Sequence, residues 1–212
     1  MINVLTIERE YGSGANVIAQ RVADQLGWEL WDQLLTSEIA RYLECEKRHV
    51  EEQEERPDPL YYRLLKSFMR GSFEGSLNAP KLKLADADGI RAVTEKLVRQ
   101  AAGQGNAVIV GRGSAYYLHD SPDVFHVFIY APFEEKVRRL EESGYGEKEA
   151  IELAETVDPE RAAFIKQYFS VDWPPRPYFH LMINSVMGDD CVVQTILSAM
   201  KAVQSCRPMS DV

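Results

Sequence analysis

One stretch constrains this chain more than any other: Val4-Leu5-Thr6-Ile7-Glu8-Arg9-Glu10-Tyr11-Gly12-Ser13-Gly14-Ala15-Asn16. An apolar run of strand length enters a tight Gly-Ser-Gly. A helical pattern with Val17, Ile18, Val22 and Leu26 on one side begins at once. Strand, turn and helix within about 25 residues are the opening of a βαβ unit. Gly12 and Gly14 permit backbone angles and close approaches that a Cβ would block. The first N–H groups of the following helix have no intrahelical partner, and the helix dipole favours an anion there. Gly12, Ser13, Gly14, Ala15 and Asn16 therefore form a candidate phosphate cradle. The alternative is a glycine turn that only lets strand and helix pack closely.

The cradle departs from the full G-x-x-x-x-G-K-[ST] loop. With Gly14 on the second glycine, the first falls on Arg9, the lysine on Ala15 and the hydroxyl residue on Asn16. The backbone donors remain, but the lysine charge and the magnesium-binding hydroxyl are missing from their usual places. G-x-G-x-x-G fails at Val17, and G-x-S-x-G is absent, so neither a dinucleotide fingerprint nor a hydrolase elbow is present.

At 212 residues the chain can bury a full core as one domain. Its net charge of −9 argues against a non-specific nucleic-acid or membrane surface. Three isolated cysteines (Cys45, Cys191, Cys206), no basic leader and no window of about 18 apolar residues predict a cytoplasmic protein without a membrane span. The four histidines show no metal-ligand spacing, and no cysteine cluster exists, so no metal site is predicted.

In chain order, a helix over 15–26 ends at Gly27, and a short strand over 28–31 delivers Asp32, read either as a helix cap or as a side chain at a strand's carboxyl end. Residues 33–92 read as a helical insertion: a helix over 33–56, charged from Glu44 to Arg56, then Pro57 and Pro59, a short helix around residues 60–68, and a loop over 71–84. A helix ending at Gly103 precedes the apolar strand 106–110, buried on both faces, which leads into Gly111-Arg112-Gly113. A strand over 124–131 follows, then helices over 133–143, 147–156 and 159–169, with a break at Asp158-Pro159. A stiff extended linker over 173–177, a strand over 179–183 and a helix over 189–204 complete the pattern, with an unstructured end from about Ser205. Strands alternating with helices predict an α/β fold of three layers, a parallel sheet of about five strands covered on both faces.

The strand ends gather Arg9, Gly12–Gly14, Asp32, Arg112 and Asn184 at one edge. Arg112, between two glycines after a buried strand, reads as a ligand-binding arginine, because a planar guanidinium suits paired oxygens. Its alternatives are stacking on Tyr116 or Tyr117 or pairing with a carboxylate. Lys136, Arg138 and Arg139 lie among Glu134, Glu135, Glu141 and Glu142, a spacing that by itself reads as surface ion pairing. Arg161, three residues after Asp158, equally reads as half of a helix-start ion pair.

The ordered set of motifs resembles the cytidylate-kinase-like proteins among the P-loop nucleoside-monophosphate kinases. It comprises Ile7-Glu8-Arg9-Glu10-Tyr11-Gly12-Ser13-Gly14, Leu30-Trp31-Asp32, Asn106-Ala107-Val108-Ile109-Val110-Gly111-Arg112-Gly113, Val127-Phe128-Ile129-Tyr130-Ala131-Pro132, Asp158-x-x-Arg161-Ala162-Ala163 with Tyr168-Phe169-x-Val171-Asp172-Trp173, and Leu181-Met182-Ile183-Asn184-Ser185. The resemblance implies a P-loop kinase fold, with 33–92 as an acceptor-side insertion and 133–172 as a lid. It implies phosphoryl transfer from ATP, with Mg2+, to a nucleoside monophosphate such as CMP or dCMP. Gly12, Ser13, Gly14, Ala15 and Asn16 would hold the donor phosphates, Arg112 and Asp32 the acceptor, and Asn184 and Ser185 would lie on the adenine side. Arg9, Arg112, Arg161 and Arg138 or Arg139 would neutralise the transferring group, with Arg9 partly replacing the missing lysine. Gly113 stands where true cytidylate kinases carry an aspartate. Two other readings stay open: a nucleotide sensor without turnover, and a phosphometabolite-binding module whose charged arm over 44–56 docks a partner protein.

Overall fold

The computed structural model describes residues 1–32 and 87–206. The predicted segments between 33 and 86, including the charged arm and the loop over 71–84, lie outside them. Five strands, β1 (Val4–Arg9), β2 (Glu29–Trp31), β3 (Ala107–Val110), β4 (Val124–Tyr130) and β5 (Leu181–Asn184), form one sheet in the order β2-β3-β1-β4-β5. Every pairing is parallel, with Val4 opposite both Ala107 and Val124. β1 and β3 are buried along their whole length, as a parallel sheet covered on both faces requires.

Helix α1 (Ala15–Leu26) presents Ile18, Ala19, Val22 and Ala23 to one face of the sheet. There they meet Leu5, Ile7, Val108 and Phe125, together with Val192, Val193 and Ile196 of α6 (Asp189–Cys206). On the other face α2 (Ala87–Gln104), the short α3 (Ser114–Tyr117) and Phe164 and Ile165 pack around Val4, Ile109 and Val124. Each such buried Val, Leu, Ile or Phe stabilises the fold by about 1.5–3 kcal/mol. A third cluster joins α4 (Phe133–Glu142) to the first half of α5 (Glu147–Phe169), where Tyr11, Leu140, Ala150, Leu153 and Val157 meet. The three-layer α/β expectation is met, and no helix among the described residues is long and apolar enough to cross a membrane.

Several boundaries differ from expectation. Helix α5 runs through Pro159 without the predicted break. Proline removes one helical hydrogen bond and crowds the preceding turn. Here Ala154, Val157, Asp158, Arg161, Phe164 and Ile165 are all buried on both sides of it, so tertiary packing holds the two halves as one helix. Strand β2 starts at Glu29 because the Trp28 N–H donates to Ala23 O at 3.0 Å, closing the end of α1 around Gly27. The linker tightens into a 3₁₀ turn at Arg176–Tyr178, whose closing bond uses the Phe179 N–H, so β5 begins only at Leu181. Helix α6 continues to Cys206, two residues past the predicted end, with Ser205 Oγ bonded to Lys201 O.

Candidate functional site: an arginine cleft beside a glycine loop

Strands β1 and β3 lie side by side and deliver Arg9 and Gly111-Arg112-Gly113 to the same carboxyl edge. The Gly111 N–H donates to Ile7 O at 2.9 Å, and then three consecutive residues adopt left-handed angles, φ 65° at Gly111, 59° at Arg112 and 70° at Gly113. That conformation costs a non-glycine residue about 1–2 kcal/mol, a strain of the kind found at functional sites. A Cβ on Gly111 would collide with Arg9 Nη1, and one on Gly113 would stand 3.0 Å from the Phe169 ring. The two glycines thus let Arg9 fold over the turn and Phe169 close against it.

Arg9, Arg112 and Arg161 converge on one cleft completed by Glu8, Gly113, Ile165 and Trp173. Arg112 is only 2% exposed. Arg161 reaches in from α5, donating from Nη1 to Arg9 O at 3.1 Å and to Asp158 Oδ1 at 3.4 Å. Its guanidinium lies 5.7 Å from the centre of the Tyr11 ring. Burial lowers the Arg112 pKa to about 10, opposed by the neighbouring Asp32 and reinforced by Arg9 and Arg161. Burial likewise lowers Arg161 to about 10, with Arg9 adding to the effect and Asp158 opposing it. Both stay cationic at neutral pH, but each is shifted in the direction that an added anion would reverse. Burial also raises the Glu8 carboxyl, against the pull of Arg9 and Arg161.

The glycine loop lies at the neighbouring edge. Gly12 and Gly14 have φ of 78° and 74°, and the first α1 bond is Ile18 N–H to Gly14 O at 3.3 Å. The N–H groups of Ala15, Asn16 and Val17 consequently precede any intrahelical acceptor. Ser13 Oγ bonds Glu10 O at 2.8 Å and braces the turn. Helix α4 covers the loop. A Cβ on Gly12 would stand 3.0 Å from Lys136 Cβ, and one on Gly14 would collide with the Arg139 guanidinium. Lys136 Nζ pairs with Asp158 at 3.0 Å and Glu10 at 3.4 Å, while Asp158 Oδ1 accepts the Tyr11 N–H at 2.8 Å. Arg139 is held by Glu135 at 2.7 Å and Asp189 at 2.9 Å. A cation against a helix N-terminus has the unfavourable polarity unless an anion lies between them. Here the Glu135 and Asp189 carboxylates supply that charge to Arg139.

Most of the predicted residues come together. Arg9, Arg112 and Arg161 share the cleft, Asp32 is buried near Arg112, and Arg139 meets Gly14. The Asp158–Arg161 ion pair exists, but within a continuous helix and not at its start. Arg138 points outward and pairs with Glu135 and Glu142, so Arg139 is the residue of that pair facing the loop. Arg9 stands over Gly111 and not over the glycine loop. The cations next to the loop are Lys136 and Arg139. Asn184 accepts the Val186 N–H at 3.0 Å, and Ser185 is fully buried with Oγ toward Tyr130 O at 3.4 Å. Tyr130, which faces Asn184 across the β4–β5 pair, Phe133, Val186 and Met187 are exposed apolar side chains near them in sequence or register.

Sequence reasoning missed Glu8, Lys136 and Asp158 as site residues. A lone carboxylate near the end of an otherwise buried strand was the available signal for Glu8. Lys136 carried no such signal, because its Asp158 partner lies 22 residues away. Among the described residues no group of three or more His, Cys, Asp or Glu side chains could hold a metal.

Parallel strand order, the glycine loop at the start of α1 and the arginine-lined carboxyl edge define a P-loop kinase fold. The model of the cytidylate kinase-like family matches residues 4–186, and the chain belongs to that family. A solved structure of an uncharacterized protein from Eubacterium ventriosum superposes with a TM-score of 0.66 at 21% identity, covering 95% of this chain and 99% of that one. Shikimate kinase from Bacteroides thetaiotaomicron gives 0.51 at 14% identity over 95% and 99% of the two chains. Shikimate kinase from Acinetobacter baumannii, in complex with shikimate, gives 0.50 at 15% over 95% and 94%. At these identities the likeness shows the fold alone. A search of curated proteins found no match.

Proposed function

We propose that the protein is a cytoplasmic kinase that transfers a phosphoryl group from ATP to a small phosphorylated acceptor, a nucleoside monophosphate of the CMP or dCMP type. The observation that carries this reading is the convergence of three buried arginines on one cleft beside a helix-N-terminal glycine loop. Gly12, Ser13, Gly14, Ala15 and Asn16 would take the donor phosphates through backbone N–H groups, and Arg139 would close over them from α4. Arg112, Arg9 and Arg161 would bind the acceptor anion, and Asp32 would orient it through Arg112. The exposed apolar side chains of Tyr130, Phe133, Val186 and Met187, near Asn184 and Ser185, suit a flat base. Phosphoryl transfer asks mainly for positioning and charge neutralisation, which this residue set supplies without a nucleophile of its own. We read α4 and the first half of α5 as the lid, whose closure would exclude water. The described residues form no metal cage, and Asn16 replaces the usual hydroxyl ligand. Mg2+ would thus arrive on the donor's own phosphates.

One observation favours a second reading, a nucleotide sensor without turnover. Ala15 stands where the loop lysine belongs, and the neighbouring Lys136 is tied to Asp158 and Glu10. A coupled assay of ADP release with Mg–ATP and a panel of nucleoside monophosphates separates the two. Turnover with CMP or dCMP above the ATP-only rate is expected. No turnover with any acceptor, together with a nucleotide-dependent rise in melting temperature, would establish the sensor. No turnover and no melting shift would remove both.

A further inference from the structure

The proposed acceptor cleft contains one group whose charge opposes its ligand. Glu8 projects from β1 into the same cleft as Arg9, Arg112 and Arg161 and is 6% exposed. Its position is fixed. Ser114 Oγ donates to Oε1 at 3.5 Å, and the Ala115 backbone also bonds it. The charged and titratable groups facing it are Arg9 on its own strand, Arg112 from the turn after β3, Tyr116 and Tyr117 of α3 and Arg161 of α5. Asp32 stands beside Arg112 and Asp158 beside Arg161.

An anion entering this space meets guanidinium donors on several sides and a carboxylate on another. An ionised carboxylate only accepts hydrogen bonds, so against a fully ionised ligand it gives nothing but repulsion. A proton between the two turns that repulsion into an O–H···O⁻ bond, the short and strong kind. A phosphate monoester, with a second pKa near 6, takes such a proton readily. Sulfate, the anion of a strong acid, does not. We propose that Glu8 makes the cleft a proton-reading anion site, which accepts phosphate and rejects sulfate by sharing one proton with the bound phosphate. The inference rests on the cleft being the acceptor-phosphate site. The proton comes from solvent when the ligand is a monoester dianion, and from the ligand itself when it is HPO₄²⁻.

The test is titration calorimetry on the full chain at pH 8 with inorganic phosphate, sulfate and CMP as probes. Each is run in two buffers of different ionisation enthalpy. Phosphate is expected to bind at least about tenfold tighter than sulfate, the scale of one hydrogen bond to a charged group. CMP binding is expected to take up close to one proton. In Glu8→Gln, whose amide can donate to either anion, the phosphate preference is expected to shrink to about twofold and proton uptake to vanish. Equal affinity of the parent protein for phosphate and sulfate would overturn the inference and leave the acceptor cleft standing. A phosphate preference retained in Glu8→Gln would do the same. Binding of none of the three probes would overturn the acceptor cleft itself. Should Glu8→Gln fail to fold, proton uptake with CMP in the parent protein decides: none would overturn the inference.

Discussion

At the glycine loop an anion would meet backbone N–H groups at the start of α1, while in the cleft it would meet guanidinium forks from β1, the Gly111–Gly113 turn and α5. The loop's donors are local, set by a dozen residues in sequence. The cleft's donors come from positions as far apart as Arg9 and Arg161, so the site exists only once the sheet and α5 have assembled. Cations also enter the two regions differently. At the loop, Lys136 and Arg139 arrive already neutralised by Asp158, Glu10, Glu135 and Asp189. In the cleft, Arg9, Arg112 and Arg161 share a buried space with Glu8, and only Asp32 beside Arg112 and Asp158 beside Arg161 oppose the lowering of those two guanidiniums by burial and by Arg9. The lesson is that the loop is flanked by backbone donors and by cations paired on neighbouring elements, whereas the cleft packs three guanidiniums around one buried carboxylate.

The comparison is broken most severely by removing the tie between the loop, α4 and α5. Lys136→Met leaves the buried Asp158 with only Arg161 and the Tyr11 N–H as partners, and stability is expected to fall by about 2 kcal/mol in urea unfolding. A loss below about 1 kcal/mol would show that the pairing does not hold α4 to the loop. Acid reaches β1, the strand common to both regions, through His126. Its Nδ1 lies 2.6 Å from Thr6 Oγ1, and burial, reinforced by His180, lowers its pKa to about 4. The native state thus holds this ring neutral while the unfolded chain protonates it below about pH 6.5. Stability is therefore present above that pH and is lost as pH falls toward about 4, at up to about 1.4 kcal/mol per pH unit. Melting temperature against pH should show this slope flattened in His126→Gln, and an equal slope in both would refute it.

A crossed pair of glycine substitutions sharpens the comparison further. Gly14→Ala sets a methyl group against Arg139, and Gly111→Ala sets one against Arg9. Each also forces a left-handed alanine, a strain of about 1–2 kcal/mol. Gly14→Ala is expected to weaken a non-hydrolysable ATP analogue about tenfold and CMP hardly at all, with Gly111→Ala doing the reverse. Equal effects of both substitutions on both ligands would merge the two regions into one site. The smallest effect belongs to Arg138→Ala. Its exposed pairs with Glu135 and Glu142 predict a stability within about 0.5 kcal/mol of the parent in urea unfolding and unchanged binding of both ligands.

The same contrast explains what could be read from sequence. α1, β3, β4 and the glycine loop are written locally in apolar runs and turn residues, and they were legible. Arg112 was legible because two glycines flank it after a buried strand. The wrong break at Pro159 came from weighing a local rule that burial on both sides of the proline overrides. Arg139 and Lys136 looked like ordinary surface pairing because Glu135 lies one turn from Arg139, and only the fold brings Gly14 beneath one and Asp158 beside the other. Placing Arg9 at the loop followed its position in sequence, but its side chain turns toward Gly111.

The central claim is that the carboxyl edge holds two chemically separate anion sites, and titration calorimetry of CMP and of a non-hydrolysable ATP analogue into the parent protein and Arg112→Ala tests it most directly. Loss of the buried Arg112 fork is expected to weaken CMP by about 100-fold or more and to leave the ATP analogue within about twofold. A parallel loss of both ligands, or unchanged CMP affinity, would contradict the account.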